Sequence, residues 1–322
     1  MSESSRGTLV FHHNGIGDYV MSIPALRLLA CAAPRPLHLV CGDVPASLLY
    51  HEIEVDQFST VPVSPGLFAH WVDIGSVSLP RSYEFFVSLA TWDSLELTTL
   101  AQKAGAKATV GLFSYCSLRL MDQPEHDIAR LFTLALPFAP SARLQDYAQP
   151  LRFPNGTERL RASILCGARL LLVVHGDTRI EKVWPRDRYD EVLTSFVRSA
   201  PDWRVAALNF RPDELSSALA TGRVSALLNV ELSVAMCLVA DADMFLGIDS
   251  CMLHVADLCR VPGVALFGPT RPEQFGYHLT SRLLTQNLLS SGGLAFLSAA
   301  EVTEALHTIR ERIQDCDLAI RH

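Results

Sequence analysis

Short apolar runs alternate along the chain with longer segments of helical period. Thr8–Phe11, Leu37–Cys41, Phe58–Val61, Phe85–Leu89 and Ala108–Gly111 read as strands in the first half. Leu170–Val174, Val205–Asn209, Leu227–Leu228, Met244–Gly247 and Val264–Phe267 do so in the second. Continuous apolar runs of this length, bounded by turn residues, suit parallel strands covered on both faces. Between them the spacing predicts helices over Asp18–Ala32, Pro45–His51, Leu95–Ala104, Thr157–Cys166, Arg186–Ser199, Pro212–Ala220, Leu232–Ala240, Met252–Leu258 and Ala299–Gln314. Pro24 marks a kink or restart in the first of these. The region Leu112–Leu136 reads as mostly helical, with Pro124 at a helix start. Such alternation implies parallel sheets, and the fold class is therefore α/β with two doubly wound domains.

The best linker candidate is Pro137–Pro154, which holds Pro137, Pro140, Pro150 and Pro154 and little periodicity. At 322 residues, roughly two domains of ~150 residues each are expected. The division is placed at residues 1–154 and 155–322, with a cleft between the domains as the natural small-molecule site. No repeat of solenoid length is visible.

Composition narrows the class. The chain is 49% hydrophobic and 19% charged, with a net charge of -7. That balance argues against nucleic acid as a partner, since such binders rely on many phosphate contacts. No apolar run reaches the ~20 residues of a membrane span, which leaves peripheral membrane contact open. Met1–Gly7 is polar and no signal peptide is read. The eight cysteines (31, 41, 116, 166, 237, 251, 259 and 316) form no CxxC and read as reduced thiols of a cytoplasmic protein.

Chemistry concentrates in three loops at strand carboxyl ends, where open α/β sheets bind ligands. The stretch Leu170–Asp190 runs from a buried strand through His175-Gly176-Asp177-Thr178 to a helix set by Trp184-Pro185. A helix N-terminus there suits phosphate. Thr178 offers a hydroxyl donor, and Arg179 and Lys182 add charge. Lys182 stands out because Lys103, Lys107 and Lys182 are the only lysines, against 24 arginines. The plain alternative is a solvated surface loop. The second loop, Asn14–Asp18, has glycines that let backbone approach a ligand; His13, Asn14 and Gly17 are secondary candidates beside Asp18. Asp18 is either a helix cap or a carboxylate that takes a proton from a substrate hydroxyl. The third, Gly247–His254, carries Asp249, Ser250, Cys251 and His254, whose plain readings are helix caps and a satisfied core histidine. Thr270, in the turn Phe267–Thr270, could close the pocket.

Several familiar motifs are missing. GxGxxG is absent, which disfavours a dehydrogenase, and no Walker loop is present. Asp241-Ala242-Asp243 spells DxD but sits between an apolar helix and a strand, and reads as a turn.

The order of motifs resembles glycosyltransferase family 9, the heptosyltransferases of bacterial lipopolysaccharide synthesis. Gly17-Asp18 and Pro24-Ala25-Leu26-Arg27 match its N-terminal GD and PAL stretch. Lys182-Val183-Trp184-Pro185 matches its K-x-W-P motif. Asp249-Ser250-Cys251-Met252-Leu253-His254 and Pro262–Thr270 match its D-[ST]-G-x-x-H and P-x-x-x-x-[FY]-G-P-T stretches. Two departures stand out: Cys251 replaces the usual glycine, and His12-His13-Asn14-Gly15 precedes Asp18 where the family favours small hydroxyl residues.

The resemblance implies two facing Rossmann-like domains of GT-B type, with the donor nucleotide on the C-terminal one and helix 299–314 packing back towards the N-terminal one. It implies Asp18 as catalytic base, Thr178 and Lys182 as diphosphate contacts, and Asp249, Ser250, Cys251 and His254 as donor-site residues; Gly176 and Arg179 are secondary candidates. The expected activity is an inverting transfer of a sugar, a heptose, from a nucleoside diphosphate (ADP favoured) to an acceptor hydroxyl, with no metal or other cofactor. The acceptor is left open among glycan, lipid-linked, protein and small-molecule partners. The alternatives are a nucleotide-sugar epimerase or hydrolase on the same fold, and a non-catalytic nucleotide-sugar binding protein.

Overall fold

A computed structural model of the chain describes residues 7–61, 77–79, 82–93, 95–120, 124–153, 158–176 and 182–320. It divides into two compact units, Met1–Gln149 and Pro150–His322. The division falls inside the proline-rich stretch.

The first unit runs β1 (Thr8–Phe11), α1 (Ile16–Ala32), β2 (Leu37–Cys41), α2 (Asp43–Leu48), β3 (Gln57–Thr60), β4 (Phe85–Ser88), α3 (Leu95–Ala104), β5 (Ala108–Gly111), β6 (Leu118–Arg119), α4 (Asp127–Thr133) and α5 (Leu144–Tyr147). Its six strands are parallel in the order β3-β2-β1-β4-β5-β6. β1 and β2 are buried throughout, as apolar strands covered on both faces must be. Phe11, Phe86, Leu97 and Leu100 pack one side of this sheet into a core. Pro24 lies buried inside α1 without ending it.

The helical expectation for Leu112–Leu136 is corrected. Residues 118–119 form an edge strand, and the described helix there spans only Asp127–Thr133. A reciprocal pair explains the strand: Thr109 N donates to Ser117 Oγ at 2.9 Å and Ser117 N to Thr109 Oγ1 at 2.6 Å. Those bonds offer the backbone a turn in place of a helix. At the far end of the unit, Arg27 Nη1 donates to Tyr147 O at 3.2 Å and Gln149 O at 2.6 Å. The last residues before the division are thereby fastened to α1.

The second unit runs α6 (Glu158–Leu165), β7 (Leu170–His175), α7 (Arg186–Ser199), β8 (Trp203–Leu208), α8 (Ser216–Leu219), β9 (Val224–Leu227), α9 (Leu232–Ala240), β10 (Met244–Ile248), α10 (Cys251–Leu258), β11 (Gly263–Phe267), α11 (Pro272–Phe275), β12 (Thr285–Leu289) and α12 (Ala299–Ile320). Its sheet is also six-stranded and parallel, in the order β12-β11-β10-β7-β8-β9. Counted from each unit's own first strand, both sheets have the order 3-2-1-4-5-6 of Rossmann folds. Trp184, Tyr189, Phe196, Trp203 and Phe210 dominate the core, together with Val302, Leu306 and Ile309 of α12. That helix packs on α7, β11 and β12. Asp241 and Asp243 flank the turn before β10; Asp243 Oδ2 accepts from Leu171 N and from Arg161 Nη2, each at 2.8 Å. Among the described residues no helix is long and apolar enough to cross a membrane.

Candidate active site

In each sheet the strand order reverses beside the first strand: between β1 and β4, and between β7 and β10. A crevice opens beyond the carboxyl ends at such a point, and ligands of open α/β sheets bind there. Both groups of candidate residues lie at these positions.

In the first unit the loop from β1 to α1 carries His12 to Asp18. His12 is fully buried, and burial lowers its pKa from 6.5 to about 3, so the ring is neutral. His13 Nδ1 is 3.0 Å from the Tyr19 hydroxyl, which also accepts from Gly42 N at 3.3 Å. Asn14 is held on both sides, with Nδ2 donating to Thr91 Oγ1 at 2.8 Å and Oδ1 accepting from Gly15 N at 2.9 Å. Trp92 Nε1 donates to His13 O at 2.9 Å. The segment after β4 thus braces the segment after β1. Asp18 is half-buried in the first turn of α1, next to Gly17. It does not open the helix: Gly15 is the N-cap, and a Cβ there would stand 3.2 Å from Asp18 Oδ2. The glycine leaves room for the carboxylate.

In the second unit the crevice is crossed by an ion pair. Lys182 Nζ lies 2.6 Å from Asp249 Oδ2 and 3.3 Å from Asp249 O. The other oxygen, Asp249 Oδ1, is 3.8 Å from His254 Nε2. Burial lowers the His254 pKa against the pull of Asp249 and Asp257, which favours the neutral ring. Ser250 is the N-cap of α10, yet its side chain makes no capping bond. Its Oγ lies instead 3.2 Å from His175 Nδ1. Cys251 is the first residue of α10, half-buried and in no disulfide. Thr270 follows β11, with a buried Oγ1 that has no hydrogen-bond partner among the described residues.

Thr178 and Arg179 lie outside the described residues. Gly176 has a packing role: a Cβ on it would fall 2.2 Å from Arg186 Nη1 and 2.8 Å from Phe210 Cζ. The Arg186 guanidinium sits over the Phe210 ring, 4.3 Å from its centre. Residue-level reading of the sequence missed Arg186, His175 and Asn209. A signal for Asn209 existed, since asparagine just past a strand suits the left-handed backbone found there, φ 63°.

Chemically, the second unit presents an ammonium group, a hydroxyl and the N-terminus of α10 at one crevice, which suits a diphosphate. The first presents a carboxylate above a floor of neutral buried rings. Among the described residues no three His, Cys, Asp or Glu side chains are placed to share a metal ion.

The family model for glycosyltransferase family 9 (heptosyltransferase) matches residues 102–298. The chain belongs to glycosyltransferase family 9. This glycosyltransferase resembles a solved family 9 protein from Veillonella parvula DSM 2008 at 17% identity, TM-score 0.71, over 98% of this chain and 99% of that one. It also resembles the E. coli ADP-heptose lps heptosyltransferase II at 18% identity, TM-score 0.66, over 97% of this chain and 99% of that one. E. coli heptosyltransferase WaaC, solved with ADP, aligns at 16% identity, TM-score 0.65, over 96% of this chain and 99% of that one. Likenesses at these identities speak to the fold, which is of GT-B type. A search of the curated proteins gives no match.

Proposed function

We propose that this glycosyltransferase moves a heptose from a nucleoside-diphosphate donor to an acceptor hydroxyl with inversion and without a metal ion. ADP is the favoured nucleotide, because two of the similar solved proteins carry ADP or ADP-heptose in their names. The observation that carries the reading is the cluster of Lys182, Asp249 and Ser250 at the crevice between β7 and β10.

Asp18 accepts the proton of the acceptor hydroxyl as that oxygen bonds to the anomeric carbon. The bond from that carbon to the phosphate oxygen breaks on the opposite face, and its electrons leave with the nucleoside diphosphate. Lys182, the Ser250 hydroxyl and the N-terminus of α10 stabilise that leaving group as preorganised charge, the work a divalent ion does elsewhere. Positioned proton transfer of this kind contributes about 10²–10⁴-fold. The acceptor is a hydroxyl of a glycan, a lipid-linked sugar, a protein or a small molecule. A cytoplasmic location fits the eight cysteines, none of which is in a disulfide.

Thermal denaturation with ADP, UDP, GDP and TDP, each with and without magnesium, tests the donor site. A ligand specific for the native state adds about 2.7 kcal/mol at a hundredfold excess over its Kd. A magnesium-independent shift with ADP is expected, and no shift with any of the four would overturn the donor reading. Asp18→Asn should keep that shift and abolish transfer; retained turnover removes Asp18 from the role of base. Donor consumed without any acceptor would point to epimerase or hydrolase chemistry instead.

A further inference from the structure

Three adjacent strands end around one imidazole. His175 closes β7, which lies between β8 and β10. It stands in register with Leu208 on β8 and Gly247 on β10. Just beyond those neighbours, each side supplies one side chain. Asn209 Nδ2 lies 3.4 Å from His175 Nε2, and Ser250 Oγ lies 3.2 Å from His175 Nδ1. His175 is 5% exposed.

The directions of these bonds follow from valence. In this orientation of the Asn209 amide its nitrogen faces the ring and can only donate, so Nε2 is the acceptor and carries no proton. A neutral ring then holds its proton on Nδ1 and donates it to Ser250 Oγ. A hydroxyl that accepts from the ring keeps its own proton for another partner. Capping would not consume it, since an N-cap side chain accepts from backbone N–H, and the Ser250 side chain makes no such bond. Nor is Asn209 placed loosely: its backbone N–H donates to Leu227 O at 2.8 Å, and its φ of 63° is one asparagine adopts more readily than most residues.

We propose that Asn209 and His175 are positioning residues: Asn209 fixes the Nδ1–H form of His175, and that form turns the Ser250 proton towards the diphosphate of the donor. This inference rests on the donor reading of the second unit. The opposite ring form would draw the Ser250 proton back to Nδ1 and present only lone pairs to an anion.

Two measurements test it on the full chain. Ring ¹⁵N NMR, with His175 assigned by the signals lost in His175→Gln, reads the protonated nitrogen directly. Nδ1–H is expected in the wild-type protein, and Nε2–H there overturns the inference whether or not ADP binds. Calorimetric binding of ADP then compares variants at about pH 8.5, well above the ordinary histidine range. Ser250→Ala should weaken ADP by about tenfold to a hundredfold, the scale of a hydrogen bond to a charged group. Asn209→Asp keeps the shape but accepts from Nε2–H, so the ring should switch form and ADP should weaken by about tenfold. Asn209→Gly keeps the left-handed backbone and deletes the amide, which guards against a variant that fails to fold; about threefold weakening is expected, the scale of a neutral hydrogen bond. Wild-type affinity in both Asn209 variants, with Ser250→Ala weakened, overturns the inference and leaves the donor site standing. No ADP binding by the wild type, or none lost in Ser250→Ala, overturns the donor reading and the phosphate half of the inference, while the NMR result still judges the ring form.

Discussion

Lys182 and Asp249 form a 2.6 Å ion pair across the crevice between β7 and β10, although 67 positions separate them in the chain. The two ends are not equally exposed: the Asp249 side chain is 6% exposed and that of Lys182 17%. Lys182→Met therefore strands a buried carboxylate and should lower unfolding free energy by about 3 kcal/mol, the lower end for breaking a buried pair. Asp249→Asn leaves an ammonium that can turn to water, and should cost about 1 kcal/mol. The double variant should recover part of the Lys182→Met loss, because the unpaired charge is gone. Urea denaturation of the four proteins checks this; additive losses would show that the pair is not coupled.

Gly176 stands where only hydrogen fits. Alanine would bring a Cβ to 2.2 Å from Arg186 Nη1 and 2.8 Å from Phe210 Cζ, so the Arg186 guanidinium would have to shift from its place over the Phe210 ring. Overpacking of this kind costs about 1–3 kcal/mol. Gly176→Ala should be destabilised by that much in urea. Adding Arg186→Ala should return part of it, since the clash is with that side chain.

Which features were legible in the sequence follows from burial. β1, β7, β10 and β11 carry unbroken apolar runs because both faces are covered, and each was readable within a residue or so of its ends. β12, Thr285–Leu289, was not: as an edge strand it alternates between half-buried and exposed positions after Thr285 and includes Gln286 and Asn287. α10 and α12 were readable, whereas Leu112–Leu136 was misread because the Thr109–Ser117 turn outweighs helix propensity there. At the site, Lys182, Asp249 and Ser250 could be picked out as residue types at strand ends. Their pairing could not, since it depends on β10 lying beside β7. Asn209 suits a strand end by residue type, but its partner was unreadable for the same reason: only the neighbouring position of β8 puts it against His175.

His12 makes the first unit sensitive to acid. Its pKa falls from 6.5 to about 3 on folding, through burial. The unfolded chain therefore binds a proton below pH 6.5 that the native fold refuses. Stability is at its full value above that pH and declines as pH falls towards about 3, by about 1.4 kcal/mol per pH unit for one such group. His12→Gln carries no titrating ring and should show a shallower fall in the urea midpoint between pH 6.5 and 5, even where its stability at neutral pH is lower. An unchanged slope would assign the acid response to other groups.

Trp184 belongs to the K-x-W-P motif, yet its place is structural. The side chain is fully buried, and Nε1 donates to Leu297 O at 2.9 Å, just ahead of α12. Its ring meets Tyr189 edge-on, with centres 4.7 Å apart. The indole thus ties the start of α7 to the turn that leads into the last helix, while Lys182, two residues earlier, turns to Asp249. Trp184→Phe keeps most of the apolar volume and deletes the donor, so it should cost about 1–3 kcal/mol of stability. Leu297 O also accepts from Arg188 Nη1, which keeps that carbonyl partnered and favours the lower end. ADP affinity should stay within about twofold of wild type, whereas Lys182→Met should lose about tenfold or more through a missing charged bond. Calorimetric titration beside urea unfolding separates the two residues. A Trp184→Phe protein that keeps its stability but loses ADP would move the indole from the core to the ligand.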